Sequence, residues 1–287
     1  MSEFIIKKAS KKAKKLRVSF SATSGGGKTL SALRAAYGLT GDWSKICVVD
    51  SERDSSSLYA LDKRFDIGEF NVITLNPPYH PTRYCNAILA AQKDHDVVIV
   101  DSISHEWKGK GGCLELHNKN GGDFRAWGLI TPLHDLFINT ILTSTAHVFC
   151  TVRRKEDYAM VQGERGMTVK KLGLGEETRA GFTYEMDIVF EIDNSTHMAT
   201  SSKDRTGLFD GKDPFMIDEE VGVILKEWAS EGASNLDEAM EKLRNIKSRK
   251  ELIKVHSAYK NELGKHPDFI TLLQLKNKEY PKEVASS

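Results

Sequence analysis

The sequence predicts an α/β fold in which a mostly parallel central sheet gains a C-terminal hairpin and is followed by a small helical appendix. Three observations predict it. Short, β-branched apolar runs alternate with helical stretches over the first two thirds of the chain, as expected for strands covered on both faces and joined by crossover helices. YEMDIVFEID and HMATSSK flank a turn-prone Asn194-Ser195-Thr196, the pattern of a β-hairpin. Beyond Gly211 the composition turns helical.

Residues 1–15 read as a basic leader. From Lys7 to Arg17 there are seven basic residues (Lys7, Lys8, Lys11, Lys12, Lys14, Lys15, Arg17) and no acidic one, which fits a solvated leader or a phosphate-contacting arm. The core spans 16–212. Its strands are expected at 16–22 (LRVSFSA), 46–50 (ICVVD), 70–75 (FNVITL), 96–101 (DVVIVD) and 146–152 (AHVFCTV), with helices at 29–39 and 132–143 among the connections. Two long stretches, 104–128 and 153–181, read as loops, and loops of that length in a compact domain are usually functional. The appendix, 215–287, carries helices at 217–230, 235–246, 248–263 and 267–279. Ser248 followed by Glu251 fits a capping box, and Pro267 fits a first helical position.

Composition narrows the function classes. A chain of 287 residues with 40% hydrophobic and 28% charged residues can bury a sizeable core, and its net charge of +1 leaves any nucleic-acid affinity to local patches. No run approaches the roughly 18 apolar residues of a membrane span, and the start lacks the apolar core of a secretory signal. A cytosolic protein, in the cytosol of a host cell, is expected. Cys47, Cys85, Cys113 and Cys150 lack CxxC spacing and read as reduced core thiols, and the nine histidines form no HxxxH or HExxH pair, so no metal cluster is expected.

One motif carries chemistry. ATSGGGKT, residues 22–29, follows a predicted strand and runs into a predicted helix, the context that a phosphate-binding P-loop requires. Glycines let backbone N–H groups converge on an anion, and the following helix offers its positive end. Ser24, Gly25, Gly26, Gly27, Lys28, Thr29 and Leu30 are the expected nucleotide-binding set, Lys28 reaching the β- and γ-phosphates and Thr29 binding Mg²⁺. Ala22 stands where the pattern has its first glycine, a position that requires only a small residue. Asp101, ending the aliphatic run of HDVVIVDS, is the matching Mg²⁺ carboxylate, with Ser102 beside it. Hydrolysis also needs a group that activates water, and spacing alone leaves Glu52 and Glu106 as equal candidates.

VVDSERDSSSLYA (48–60) together with DVVIVDSIS (96–104) resembles the RecA-type recombinase core, in which a strand ending in D-x-E is followed by a tyrosine. That resemblance implies Glu52 as the catalytic glutamate, ahead of Glu106, and Tyr59 as the residue stacking on adenine. SSKDRTGLF (201–209) resembles the K-x-R-x-G element of RecA and RadA relatives, which implies that Lys203 and Arg205 reach a neighbouring subunit's ATP and complete its catalytic site. Taken with the basic leader, DSISHEW and TYEMDIVFEID, residues 4–212 are similar to phage-encoded RecA-like P-loop ATPases of the AAA family, core-only proteins associated with single-strand annealing and recombination.

The resemblance implies ATP and Mg²⁺ as ligands and assembly into a filament or ring with ATP between subunits. It also implies single-stranded DNA as a partner, with a single-strand-binding or replication protein beside it. The DNA contacts would come from the two long stretches. Lys108, Lys110, Lys119 and Arg125 lie in the first, with Trp107 and Trp127 to stack on bases; Arg153, Arg154, Lys155, Arg165, Lys170, Lys171 and Arg179 lie in or beside the second. One position departs from the family. Where RecA ends a core strand with Asn-Gln, this chain has Thr151-Val152; Thr151 can bond to the nucleotide site and Val152 cannot. A ring-forming motor or loader of replication or packaging, or a nucleotide-gated interaction module, stands as the alternative function.

Overall fold

The computed structural model describes residues 13–281 apart from 164–165, 231–234 and 265, and it describes the side chains of these apart from 156–173, 235, 237 and 262. Two compact units emerge, Lys15–Trp228 and a second that contains the chain from Ala229 on.

In the first unit the elements are β1 (Arg17–Ala22), α1 (Lys28–Thr40), β2 (Ile46–Asp50), β3 (Asn71–Thr74), α2 (Pro81–Ala91), β4 (Val97–Asp101), α3 (Ser104–Lys108), α4 (Cys113–Lys119), α5 (Trp127–Thr143), β5 (His147–Gly163), β6 (Gly166–Glu176), α6 (Phe182–Glu185), β7 (Ile188–Ile192), β8 (Ala199–Asp204) and α7 (Glu219–Ser230). The strands lie in the order β3-β2-β4-β5-β1-β7-β8, parallel except for the last, and β6 pairs with β5 off this path. The α/β fold with a mostly parallel sheet is therefore present, and every parallel strand ends at the same sheet edge.

β1, β2 and β4 are buried at every position; β2 and β4 accordingly read as apolar runs, whereas β1 buries Arg17, Ser19 and Ser21 between its apolar residues. One face packs Val49, Val98, Val100, Val148 and Cys150 against α2 and α5, with the Tyr84 and Phe137 rings 5.5 Å apart. On the other, Phe20 meets Phe149 at 5.4 Å and Phe190 at 5.7 Å. α7 presses on α1 so closely that a Cβ on Gly38 would lie 1.8 Å from the Glu219 carbonyl oxygen, and one on Gly222 would lie 2.1 Å from that of Ala35. Arg34 and Glu219 pair across the same contact at 2.7 Å. These contacts place most of α7 with the sheet rather than with the helices that follow.

The two long stretches read as loops are structured. The first contains α3, α4 and the start of α5, which begins before Pro132 and carries it inside. Most of the second is a hairpin: β5 leaves the central sheet after Arg153 and pairs antiparallel with β6 from Arg154↔Glu176 to Gly163↔Gly166. Among the leader's basic residues, Lys7, Lys8, Lys11 and Lys12 lie outside the described residues, and Lys14 and Lys15 are exposed. Arg17 is no leader residue; it is buried in β1, where its guanidinium donates to the carbonyls of Leu16, Leu142, Ser144 and Ala146 and fastens the end of α5 to the sheet. All four cysteines are buried free thiols. No helix among the described residues is long and apolar enough to cross a membrane.

In the second unit α8 (Asn235–Asn245), α9 (Arg249–Leu263) and α10 (Pro267–Glu279) surround Ala239, Leu243, Ile246, Leu252, Tyr259, Leu263 and Phe269. Ser248 caps α9 by accepting from the Glu251 N–H at 3.3 Å, while the Glu251 carboxylate accepts from the Lys247 N–H at 2.7 Å, one residue earlier than a capping box has it. Pro267 opens α10.

Candidate active site

β1 ends at Ala22, and the chain turns through the glycine stretch into α1. Gly25 and Gly27 take φ values of 80° and 87°, which L side chains adopt at a cost. A Cβ on Gly26 would lie 2.7 Å from that of Ala22, so the loop closes only with glycine here and a small residue at the end of β1. α1 begins with no side-chain cap, leaving its positive end to an incoming anion. Lys28 donates to the Thr23 carbonyl at 2.9 Å, folded back along the loop it would serve. Burial lowers the Lys28 pKa, with the Asp101 and Glu52 charges acting the other way.

Beside the loop, Asp101 is 2% exposed at the end of β4. One carboxylate oxygen accepts from the Thr29 hydroxyl at 2.6 Å and the other from Thr151 at 2.5 Å. Burial raises the carboxyl above the ordinary range, and the two hydroxyls oppose that rise. The paired oxygens of Thr29 and Asp101 are the hard donors that Mg²⁺ selects, and the glycine cradle leaves room for phosphate, so the residues present fit a Mg²⁺-nucleotide.

Glu52 stands at the same edge. It accepts from Ser102 Oγ at 2.8 Å and from Arg153 Nε at 2.8 Å, and Arg153 Nη2 bonds its second oxygen. Burial alone would raise its pKa; the bonds from Arg153 and Ser102 overcome burial and hold it below the ordinary value. Asp50 builds this corner by accepting from the Glu52 N–H at 2.6 Å and from Ser56 N–H and Oγ at 2.8 and 2.5 Å, which fixes the short helical turn ending at Tyr59. Burial raises the Tyr59 phenol, and the Asp101 charge adds to it, so the ring lies within electrostatic reach of the site. Glu106, the rival glutamate, is elsewhere and wholly buried, accepting from Cys113 Sγ at 3.1 Å and lying 3.1 Å from His134 Nδ1. Sequence spacing gave no sign of this Glu106, Cys113 and His134 group, whose donor atoms all lie within 4.8 Å of one another. Each is hydrogen-bonded within the group.

Lys203 and Arg205 are not brought to this chain's own P-loop. β8 runs antiparallel to β7, which sets Lys203 opposite Val189 and Arg205 N–H on the Asp187 carbonyl, at the amino edge of a sheet whose carboxyl edge carries the loop. There Lys203 Nζ donates to the carbonyls of Thr183 and Tyr184 at 2.8 and 2.5 Å, and Arg205 to Tyr184 at 2.7 Å.

The expected DNA-contacting residues separate into groups. Lys110 and Arg125 are exposed, and Lys108 pairs with Glu177 at 3.1 Å. Arg153 is withdrawn into the phosphate corner, and Arg154 is paired with Glu191 at 2.6 Å and with the Leu174 carbonyl at 3.0 Å, so neither is a freely exposed loop cation. Lys170 and Lys171 fall on β6, where their side chains lie outside the described residues. Trp107 and Trp127 are also spoken for: they stack on each other at 5.8 Å, and Trp127 stacks on His117 at 4.0 Å. A separate cleft of about 720 Å³ is lined by Arg154, Glu176, Arg179, Glu191 and Lys203 among others.

Two neighbours of the loop carried no signal in the sequence. The β7–β8 turn, held by four bonds to Asp193 Oδ1, sets Asn194 and His197 against the glycines: their polar atoms would lie 3.1 Å from a Cβ on Gly26 and 3.6 Å from one on Gly27. Residues that read only as turn formers thus flank the phosphate cradle.

Among curated proteins none matches the chain. The family described as AAA domain matches residues 14–215, from the basic segment before β1 through the end of the β7–β8 region. That span holds the P-loop, the Asp101 pair and Glu52, and the chain belongs to this family of nucleotide-binding P-loop ATPase domains.

Proposed function

We propose that the protein binds and hydrolyses ATP with Mg²⁺ and does so as an assembly on single-stranded DNA, in recombination or annealing. The observation that carries the ATPase reading is the convergence of Lys28, Thr29, Asp101 and Glu52 at one sheet edge, from three separate strand ends. Lys28 exchanges the Thr23 carbonyl for phosphate oxygens. Thr29 and Asp101 hold the metal, which when bound neutralises charge on the phosphates. Glu52, carried on the turn that Asp50 fixes, orients a water and accepts its proton. Tyr59, on the same turn, packs on the base.

Lys203 and Arg205 stand away from their own chain's loop, and this supports a role toward a neighbour's nucleotide in a filament or ring. DNA contact falls to the α3–α5 region, where Lys110 and Arg125 are exposed, and to the β5–β6 hairpin, whose root lies beside the phosphate corner. The test is phosphate release with and without single-stranded DNA, for wild type and Lys28→Ala. Stimulation by DNA that Lys28→Ala abolishes supports the proposal. Turnover indifferent to DNA moves the function to a motor or loader, and no turnover with intact ATP binding moves it to a nucleotide-gated interaction module.

A further inference from the structure

Arg153 ends the part of β5 that lies in the central sheet, and Arg154 begins the part that pairs with β6. Its main chain is pinned, the N–H donating to Ser104 Oγ at 2.9 Å. Its side chain turns back to the phosphate corner and grips Glu52 through both Nε and Nη2. The guanidinium charge also acts on Lys28, whose protonation it opposes, and on Asp101, so it sits within electrostatic range of the groups that surround a terminal phosphate.

A carboxylate held in this fork is a poor base. With Ser102 as a third donor, both Glu52 oxygens are engaged by groups that stabilise the charged form. A γ-phosphate presents the same guanidinium with three oxygens and more negative charge than a carboxylate; ADP presents no such group at that position. Resting on the ATPase reading above, we infer that Arg153 exchanges partners, clamping Glu52 when the terminal phosphate is absent and turning to that phosphate when ATP is bound. The exchange frees Glu52 for water only when there is something to hydrolyse. It also makes Arg153 the residue that distinguishes ATP from ADP. Because the next residue starts the hairpin, the nucleotide state reaches β5–β6 through one side chain, a route that Val152 cannot provide, since its side chain is wholly buried in the apolar core.

The test is a double-mutant cycle on nucleotide binding, measured by calorimetry with a non-hydrolysable ATP analogue and with ADP, for wild type, Glu52→Gln, Arg153→Gln and the pair. Partner exchange predicts that Glu52→Gln tightens the analogue by about tenfold and ADP by much less, because the freed guanidinium serves only the terminal phosphate. It predicts that Arg153→Gln removes the preference for the analogue over ADP, and that adding Glu52→Gln to it gains nothing specific to the analogue. Arg153→Lys, which keeps the charge without the fork, should restore part of that preference and guards against a misfolded variant. If Glu52→Gln leaves the analogue unchanged or weakens it, and Arg153→Gln binds both nucleotides as wild type does, the pair is a structural cross-link and the inference is wrong. A wild type that binds neither nucleotide overturns the ATPase reading and this inference with it.

Discussion

The Thr29 hydroxyl donates a 2.6 Å hydrogen bond to Asp101, joining the first turn of α1 to the end of β4. Those two elements are far apart in sequence, and the bond exists because β4 lies two strands from β1 with β5 between them, all ending at one edge. Thr151 on the intervening β5 completes the group from the other side. The site is therefore a product of strand order as much as of the glycine motif.

Thr29→Val keeps the side chain's shape and removes its hydroxyl. The hydroxyl oxygen is the proposed Mg²⁺ donor, so the variant should lose roughly ten- to a hundredfold in Mg²⁺-dependent nucleotide affinity. Binding without Mg²⁺ should change little, and Thr29→Ser should behave nearly as wild type. Nucleotide titrations with and without Mg²⁺ check this; equal losses in both conditions would place the hydroxyl on the phosphate instead.

Gly26→Ala drives a methyl group to 2.7 Å from Ala22 Cβ and 3.3 Å from the Thr23 carbonyl oxygen. The P-loop must shift to admit it, while the buried strands beneath are untouched. The expected outcome is a loss of nucleotide binding of at least about tenfold with the thermal midpoint changed by only a few degrees. A variant that binds normally would show that the loop tolerates opening by several tenths of an ångström.

His147 accepts from the Leu16 N–H at 3.1 Å, and burial pushes its pKa down to about 3. The unfolded chain, with an ordinary histidine value near ~6.5, binds the proton first as pH falls. This residue's contribution is thus complete above about pH 6.5 and is lost progressively from there down to about 3, at up to about 1.4 kcal/mol per pH unit. His147→Asn, whose amide oxygen can accept the same bond without titrating, should lose less stability than wild type between about pH 7.5 and about pH 5. Urea midpoints at the two pH values decide it, and parallel losses would remove His147 from the acid response.

Local chemistry was legible in the sequence and distant pairing was not. The P-loop could be read because its strand, glycines and helix are contiguous, and β2 and β4 because burial on both faces leaves an unbroken apolar run. The β5–β6 hairpin is not legible, because the stretch after Arg153 is rich in charge and glycine and carries no such run. Arg153 looked like a loop cation; only the fold brings it to Glu52. Trp107 and Trp127 looked available for bases, but their mutual stacking arises from the approach of α3 and α5, which spacing does not encode. Asn194 and His197 have turn chemistry in sequence, and the direction in which β7 runs is what turns them to the glycines.

The central claim is that Glu52 activates water at a site built by Lys28, Thr29 and Asp101. The most direct measurement is ATP binding and multiple-turnover phosphate release for wild type and Glu52→Gln, side by side with single-stranded DNA present. The account predicts that the variant binds ATP at least as tightly as wild type and loses at least about a hundredfold in turnover, as removal of a general base requires. Turnover that survives Glu52→Gln within a few-fold would contradict it.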